Sequence, residues 1–369
     1  MSIFKWTLLA ALAAAVVAPF CRPVVAQEFV DVLDTPSQVS PLAEHSLLVG
    51  LASAGQRLVA VGQRGHILYS DDAGKHWQQA RVPVSSDLVA VHFPSVRHGW
   101  AVGHDGVVLH SADGGETWER QFDGRQVGPR MLEHYQALVQ KAPGDERLMA
   151  LVDEARRMTD EGADKPFLDV WFENEQVGYI VGAFNLLFRT EDGGRTWTPW
   201  MEHADNPSAL NLYAIRPAGG ELYIAGEQGL LLKLDRASGR FEPRPTTYAG
   251  SFFGILGKPG VALVFGLRGN VFRSVDGGES WSQVETGLPL SITAGTQLAD
   301  GRLALLSQAG HLLISSDDGA SFQLQAQPSL APVAAAVGAG PGRPGAGRHA
   351  WRAPVARPMT AKPERHRHG

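Results

Sequence analysis

The amino-acid sequence predicts an all-β fold, a β-propeller built from units of about 41 residues. One observation is a phrase that occurs five times: Ser or Thr, an acid two residues later, Gly two after that, and an aromatic residue three further on. The second is a small residue eight positions before each phrase. The third is the regular spacing of this small residue along the chain. It also occurs in one unit that lacks a complete copy of the phrase. Its positions are Gly62, Gly103, Gly182, Gly226, Gly266 and Ser307. Short strands and Gly-rich turns at such a period are typical of propellers.

The recurring phrase is the Asp-box, also called the bacterial neuraminidase repeat, and it predicts a turn. Its copies are Ser70-Asp72-Gly74-Trp77, Ser111-Asp113-Gly115-Trp118, Thr190-Asp192-Gly194-Trp197, Ser274-Asp276-Gly278-Trp281 and Ser315-Asp317-Gly319-Phe322. The Asp carboxylate is expected to accept hydrogen bonds from backbone N–H groups, and the aromatic ring is expected to pack over the turn. A calcium loop is the alternative at Asp71-Asp72 and Asp317-Asp318, but it needs about six or more oxygen ligands. The sequence therefore predicts structural turns, with no metal and no cofactor.

Each unit is expected to form four strands, the first lining a central channel. In the second unit these are Leu88–Phe93, Gly99–Val102, Val107–His110 and Trp118–Phe122. Six such units run from Leu47 to Gln325, and a seventh starts at Ala331-Pro332-Val333 without continuing. A strand at Glu28–Leu33 would complete the last blade and close the ring, because an open ring leaves strand edges unpaired. Seven blades are thus favoured over six, in a propeller spanning residues 28–335.

A helical hairpin interrupts the regular spacing between the second and third units. Apolar residues at helical spacing precede and follow Pro143-Gly144, starting with Met131, Leu132 and Tyr135. Charged residues fill the other faces of both segments, as in amphipathic helices. The pattern predicts an insertion at residues 126–162, between the last strand of blade 2 and the first of blade 3.

The two ends of the chain differ from the body in composition. Residues 1–26 form a predicted signal peptide, with Lys5, an apolar run from Trp6 to Ala18 and Val24-Val25-Ala26 before the cleavage point. The only cysteine, Cys21, lies inside this segment. Residues 338–369 form a predicted disordered basic tail. We therefore expect a periplasmic protein with no integral membrane segment after signal cleavage and no disulfide.

The charge distribution argues against a nucleic-acid partner. The net charge is −5, although the signal peptide and the tail are both basic. The body between them is therefore strongly acidic, whereas nucleic-acid binding needs a cationic surface.

The combination of a secretory signal, 41-residue units and boxes such as Asp192-Gly193-Gly194-Arg195-Thr196-Trp197 resembles the photosystem II stability/assembly factor-like family. The resemblance covers about Glu28 to Gln325. It implies a seven-bladed propeller, since photosynthetic members have that fold and help to assemble photosystem II reaction-centre subunits. The helical hairpin departs from that pattern, and the chain also resembles relatives from non-photosynthetic bacteria. No functional residue is carried over from the family.

The favoured function is a non-catalytic, monomeric module that binds a membrane or envelope protein client and assists its assembly. In an antiparallel blade, the turns between the second and third strands open on the same face as the links between blades. That face would carry the hairpin and the candidate partner-binding residues Arg64, His104, Asp105, Phe184, Asn185, Glu227, Gln228, Leu267 and Arg268. Exposed apolar residues among charges are typical of protein-binding rims. The Asp-boxes would lie on the opposite face.

A sialidase-type glycoside hydrolase is the alternative function. That chemistry needs an arginine cluster, a nucleophile with its partner, and an acid/base carboxylate. The positions expected to face the channel are His92, Asp169, Trp171, Tyr213 and Phe253. They form no recognisable catalytic set. The nearest string to the hydrolase signature, Ala214-Ile215-Arg216-Pro217, is expected to be strand.

Overall fold

The structure is a computed structural model of the 369-residue chain, and it describes residues 30–327, 330 and 332–338. Two units can be distinguished, Met1–Asp31 and Val32–Gly369. All of the helices and strands described below belong to the second unit. The predicted signal peptide and all of the predicted tail beyond Gly338 lie outside the described residues.

Six four-stranded antiparallel sheets make up the second unit, and in each the spatial order of the strands follows the chain. Sheet 1 contains β1 (Leu48–Ala54), β2 (Arg57–Gly62), β3 (Ile67–Ser70) and β4 (Gln78–Gln79); sheet 2 contains β5 (Leu88–His92), β6 (Gly99–Gly103), β7 (Val108–Ser111) and β8 (Glu119–Phe122). Sheet 3 contains β9 (Phe167–Phe172), β10 (Gly178–Gly182), β11 (Leu187–Thr190) and β12 (Thr198–Pro199); sheet 4 contains β13 (Leu212–Ala218), β14 (Glu221–Gly226), β15 (Leu231–Asp235) and β16 (Arg240–Pro243). Sheet 5 contains β17 (Phe252–Lys258), β18 (Val261–Gly266), β19 (Val271–Ser274) and β20 (Ser282–Val284); sheet 6 contains β21 (Ile292–Gln297), β22 (Leu303–Ser307), β23 (Leu312–Ser315) and β24 (Gln323–Gln325).

The first strands of the six sheets stand side by side around a central cavity, as the sequence predicts. Each contacts the next, from β1 through β5, β9, β13 and β17 to β21. Residues 334–337 line the same cavity. Their segment runs beside β21 in the same direction, since Thr293 Oγ1 donates to the Val333 carbonyl at 2.8 Å and Gly338 lies against the Gln297 carbonyl. The segment therefore occupies the position that the first strand of a further blade would take.

Apolar side chains fill the spaces between neighbouring sheets. The alternation of each strand places one set of residues toward the preceding sheet and the other toward the following sheet. Trp100 of β6 and Phe172 of β9, for example, are fully buried and stack with ring centroids 3.7 Å apart. This double-sided burial explains why inner strands such as β6 and β10 are buried along their whole length.

Two helices lie in the chain between β8 and β9, α1 (Gly124–Lys141) and α2 (Glu146–Glu161). Asp123 caps α1 by accepting the N–H of Arg125, and Asp145 caps α2 by accepting that of Leu148. Each carboxylate accepts a hydrogen bond from a backbone N–H in the first turn that has no partner within the helix. Such a cap stabilises the start of a helix by about 0.5–2 kcal/mol.

The helices bury their apolar faces against the third sheet. The shared cluster includes Met131, Tyr135, Ala155, Phe167 and Phe188, each with none of its surface exposed. The hairpin thus contributes to the hydrophobic core. None of the helices among the described residues has the length and apolar character needed to cross a bilayer.

The predicted strand at Glu28–Leu33 is not formed in its described part, since residues 30 and 31 belong to no strand and residues 32–34 are a turn. Leu33 instead is buried in the apolar cluster that includes Val84 and Trp118. Its carbonyl accepts a hydrogen bond from Arg120. Leu33 is thus the buried apolar residue of this segment, whereas Val30 and Val32 are exposed.

Candidate functional site

The turns that follow β2, β6, β10, β14 and β18 form one end of the blades, which we call the turn face. Each is a three-residue 3-10 turn whose central residue has a positive φ between 51° and 57°. Those central residues are Arg64, Asp105, Phe184, Gln228 and Arg268. The residue before the first of these turns, Gly62, has no room for a side chain, because a Cβ atom there would lie 2.0 Å from the Leu47 carbonyl oxygen. The same backbone geometry is therefore repeated around the face.

The structure places eight of the nine predicted partner-binding residues with some surface on this face. Arg64, His104, Phe184, Gln228, Leu267 and Arg268 are exposed, and Asp105 and Glu227 are half-buried. Asn185 is the exception, since it is buried and its Oδ1 accepts a hydrogen bond from Asn206 at 2.9 Å. Asn185 therefore holds the turn in place and offers no surface to a partner.

The helical hairpin reaches the turn face beside the second and third sheets. Gly106 packs against Gly124 at the start of α1, where an added Cβ would lie 2.7 Å from the Gly124 Cα. From α2, the Arg157 guanidinium lies 5.9 Å from the centre of the Phe184 ring. The Lys165 ammonium, after α2, lies 5.6 Å from the same ring. Phe184 thus stands among cations while 45% of its surface is exposed.

A β-bulge occurs at the second residue of every first strand. In each case the pairing register shifts between the first and third residues, as between Leu48 and Gly50 or between Phe252 and Gly254. A bulge re-aims the side chain of the extra residue. The six bulged residues all line the central cavity near the turn face: Val49, Val89, Leu168, Tyr213, Phe253 and Thr293. They give the cavity a mouth of five apolar or aromatic side chains and one threonine, each half-buried.

The cavity itself has a volume of about 420 Å³, and its lining includes His92, Asp169 and Arg216. Asp169 is buried there, and its Oδ2 accepts a bond of 2.6 Å from Arg216 and one of 2.8 Å from the Ile215 N–H. Burial raises the pKa of Asp169, against the opposing effect of the Arg216 charge. Burial, followed by the charge of Arg216, lowers the pKa of His92 to about 3, so this imidazole is neutral near pH 7. Its Nδ1 accepts the Phe172 N–H at 3.1 Å, so Nε2 carries the proton.

A hydrogen-bonded chain links the turn face to the cavity mouth. The N–H of Phe184 donates to Asn211 Oδ1 at 2.8 Å. Asn211 donates its own N–H and its Nδ2 to the two oxygens of Glu227, each at 3.0 Å. Tyr213 donates its hydroxyl to Glu227 at 3.0 Å, and its ring meets Phe253 edge-on at 5.8 Å. The backbone of Phe184 is thus joined through Asn211 and Glu227 to the Tyr213–Phe253 pair.

The Asp-boxes lie at the other ends of the third strands, on what we call the box face. In all five, the hydroxyl of the Ser or Thr donates to the Asp at 2.7 to 2.9 Å and accepts the N–H of the Gly. The same Asp accepts the N–H of the residue four positions later at 2.9 to 3.0 Å. Hydrogen bonds, led by those from that later residue, lower the pKa of Asp72, Asp276 and Asp317.

The acids beside the boxes are engaged in ion pairs between sheets. Asp71 pairs with Arg57 at 2.7 Å, and the same guanidinium reaches Glu116 in the next box at 3.0 Å. Asp318 pairs with Lys258 of the preceding sheet. The Arg57–Glu116 and Lys258–Asp318 pairs thus link neighbouring sheets at the box face.

Of the positions predicted to face the channel, His92, Asp169, Tyr213 and Phe253 line the cavity. Trp171 does not; it is buried and stacks on Tyr179, with 6.4 Å between the ring centroids. Asp169 is the only carboxylate among the lining residues, which all belong to the described part of the chain. Glycosidase chemistry uses two carboxyl groups about 5 to 9.5 Å apart across the scissile bond. No local pattern in the sequence pairs Arg216 with Asp169, because the two are 47 positions apart.

A family model described as "Photosynthesis system II assembly factor YCF48" matches the chain at residues 44–131 and 150–243. The break between these segments falls inside the helical hairpin. A curated relative, "Photosystem II assembly lipoprotein Ycf48" from Synechococcus sp. (strain CC9902), is 27% identical over 156 residues. This match covers 41% of the chain and spans about half, 46%, of the relative's length.

Solved structures with similar folds include two of that name. "YCF48 bound to D1 peptide" aligns with a TM-score of 0.54 and 16% identity, over 76% of this chain and 82% of the other. "YCF48 from Cyanidioschyzon merolae" aligns with a TM-score of 0.54 and 15% identity, over 79% of this chain and 88% of the other. The WD40 propeller domain of Doa1 has the same TM-score at 8% identity, covering 80% and 86%. These neighbours indicate a propeller-like all-β fold, and the family model and the curated relative support a photosystem II assembly factor-like family for this chain.

Proposed function

We propose that this protein is a non-catalytic propeller that binds a membrane or envelope protein client through its turn face and assists assembly of the client's complex. The observation that carries the proposal is the apolar surface formed by the bulged residues around the cavity mouth together with exposed Phe184 and Leu267. Apolar residues at the centre of a polar rim are typical of sites that bind proteins.

Two features of the relatives support the proposal. The curated relative is named an assembly lipoprotein, and one solved relative is described as bound to D1 peptide. For this chain, a peptide or protein client is therefore a better-supported ligand than a glycan. The single cavity carboxylate, already held by Arg216, supports the same choice over a glycosidase.

The predicted signal peptide supports a periplasmic location, where such a client would expose segments outside the cytoplasmic membrane. We also propose a seventh blade position, begun by residues 332–338 beside β21, in a protein that acts as a monomer. The insertion at residues 126–162 would then be one border of the binding face. The five Asp-boxes would serve as structural corners without contacting the client.

Site-specific photo-crosslinking in producing cells tests the proposal. Leu267 and Val275 make a matched pair, because both are exposed apolar residues on sheet 5, one in its turn-face turn and the other in its Asp-box. A photoreactive phenylalanine analogue at Leu267 is expected to crosslink to a membrane or envelope protein, whereas the same analogue at Val275 is not. Equal crosslinking from both positions would remove the turn face from the proposal. Turnover of fluorogenic glycosides that is lost in Asp169→Asn would overturn the non-catalytic function.

A further inference from the structure

Phe184 has a backbone conformation that is unfavourable for its side chain. Its φ and ψ are 53° and 43°, in the left-handed region, and among the five equivalent turns only this one places an aromatic residue at the central position. A bulky residue with positive φ is a genuine outlier that lowers stability unless its surroundings offset the strain. Here burial offsets little, since 45% of Phe184 is exposed. Strain of this kind concentrates at ligand clamps and other functional sites.

The charged groups around Phe184 are already paired with one another. Arg157 binds Glu154 and also Glu161, the latter at 2.9 Å. Lys165 binds Glu161 at 2.7 Å and Asp164 at 2.6 Å. An apolar ligand that covers these groups leaves no charge unpaired, whereas a charged ligand would have to compete with the existing ion-pair partners.

The polar groups on the side of Phe184 toward the cavity are also paired with one another. Both oxygens of Glu227 accept hydrogen bonds, from Asn211 and from the Tyr213 hydroxyl. Between Phe184 and the Tyr213–Phe253 pair, the polar groups thus form a closed network with apolar rings at both ends. A surface of this kind is matched to apolar side chains and gives little attraction to an acidic, basic or nucleic-acid ligand.

From these observations we infer that Phe184 is a strained anchor for the client. It forms one docking surface with Tyr213 and Phe253, and this surface receives an extended protein segment that presents apolar side chains to Phe184 and to the cavity mouth. The inference rests on the proposed function and adds to it the anchoring residue and the chemistry of the bound segment.

If Phe184 is a strained anchor, the variant Phe184→Gly should be more stable than the native protein and should bind the client less well. Glycine adopts positive φ without strain, so the thermal unfolding midpoint should rise. A residue whose role were only structural would show a lower midpoint when its side chain is removed. Ala73→Gly is the matched control, because Ala73 also has a positive φ, of 65°, but lies in the first Asp-box on the box face and should gain stability without losing binding.

The binding probe is a phage-displayed library of short random peptides, selected on the full-length protein. Enriched peptides are expected to share at least two apolar residues. Their affinity should change little between about 0.05 M and about 0.5 M salt, because screening weakens charge-driven contacts only. Phe184→Gly should weaken the binding of the enriched peptides by about tenfold or more, as loss of an anchoring side chain does. Phe184→Leu should retain part of the affinity.

The outcomes separate this inference from the proposed function. Unchanged affinity in Phe184→Gly, or enriched peptides that are charged and salt-sensitive, would overturn the anchor while leaving client binding intact. A lower unfolding midpoint in Phe184→Gly, with a higher one in Ala73→Gly, would show that Phe184 is structural. Failure of the native protein to enrich any peptide, together with no crosslinks from Leu267, would overturn both.

Discussion

The hydroxyl of Tyr135 on α1 donates a hydrogen bond of 3.0 Å to Oε2 of Glu202, in the loop that follows sheet 3. The same hydroxyl accepts the Met201 N–H at 3.2 Å, and His134 contacts the other oxygen of Glu202 at 3.0 Å. Burial, with the neighbouring carboxylate, raises the pKa of Tyr135 well above its ordinary value. The hairpin is thus locked to the third blade by polar as well as apolar contacts. Deleting it would damage the fold, so point substitutions are the better probes of binding.

Tyr135→Phe is expected to destabilise the protein while keeping the ring in place. The change leaves the Met201 N–H without its acceptor and one oxygen of Glu202 without its donor, and each buried polar group left unpaired costs about 1–3 kcal/mol. Urea unfolding measures the loss. Tyr69→Phe is the control, because its hydroxyl bonds Gln78 at an exposed position and should matter by less than about 0.5 kcal/mol. Equal losses in the two variants would show that the lock contributes nothing.

Trp118→Ala should reduce the free energy of unfolding by about 3–5 kcal/mol. Trp118 is 6% exposed, meets Phe93 edge-on at 5.9 Å and donates its indole N–H to the Gly115 carbonyl at 3.0 Å. Trp77 has the same place in the first box but is only half-buried, so Trp77→Ala should cost clearly less. Denaturant unfolding of both variants gives the comparison. A larger loss for Trp77 would contradict the importance of burial at the boxes.

Removing Arg216 should leave the buried Asp169 carboxylate without its counter-charge. Breaking one side of a buried ion pair costs about 3–5 kcal/mol, so Arg216→Ala should be strongly destabilised near neutral pH. The double variant Arg216→Met with Asp169→Asn should recover most of that stability, because no charge is then buried. Chemical denaturation of the single and double variants tests this, and an equally unstable double variant would argue against it.

The stability of Arg216→Ala is expected to depend on pH. Burial raises the pKa of Asp169 in the folded state above its unfolded value, so the folded state binds a proton more readily. The resulting penalty is present above the folded pKa and disappears as the pH falls through it. Arg216→Ala should therefore regain stability relative to the native protein as the pH falls from neutral toward the unfolded pKa of about 3.9. A constant difference across that range would contradict the assignment.

The Asp-boxes should give the opposite pH dependence. Hydrogen bonds from the Ser321 side chain and N–H, and from Ser315, lower the pKa of Asp317 to about 2. A lowered folded pKa contributes stability above the unfolded value of about 3.8. That contribution is lost as the pH falls toward about 2. Asp317→Asn should flatten this part of the acid-unfolding curve, whereas Glu133→Gln on the exposed side of α1 should not. Parallel curves for Asp317→Asn and the native protein would contradict the prediction.

Much of the architecture follows from short-range patterns. The four strands of sheet 2 begin and end within one residue of their predicted bounds, because alternating apolar residues and the turn residues around Gly103 and Asp113 determine them locally. The positions of α1 and α2 follow from the same kind of pattern, with apolar spacing for the helices and Asp123 and Asp145 at their starts.

The contacts between distant residues were not accessible in this way. The strand predicted at Glu28–Leu33 is absent from its described residues 30–33, where Leu33 is buried in the core without strand pairing. Strand alternation predicts that Trp171 faces the channel, but the structure buries it against Tyr179, and the bulge in β9 brings Leu168 to the cavity. A bulge depends on pairing with the neighbouring strand and leaves little trace in the sequence of one strand.

By itself, the sequence determined the repeating unit, its strands, its boxes and the place of the hairpin, because turn chemistry and side-chain periodicity act over a few residues. Only the tertiary structure decided that Arg216 meets Asp169, that Tyr135 meets Glu202, and that Phe184 is joined through Asn211 to the cavity mouth. These pairs lie from 27 to 67 positions apart in the chain. The curvature of the ring brings them together, and that curvature arises from how whole sheets pack on one another.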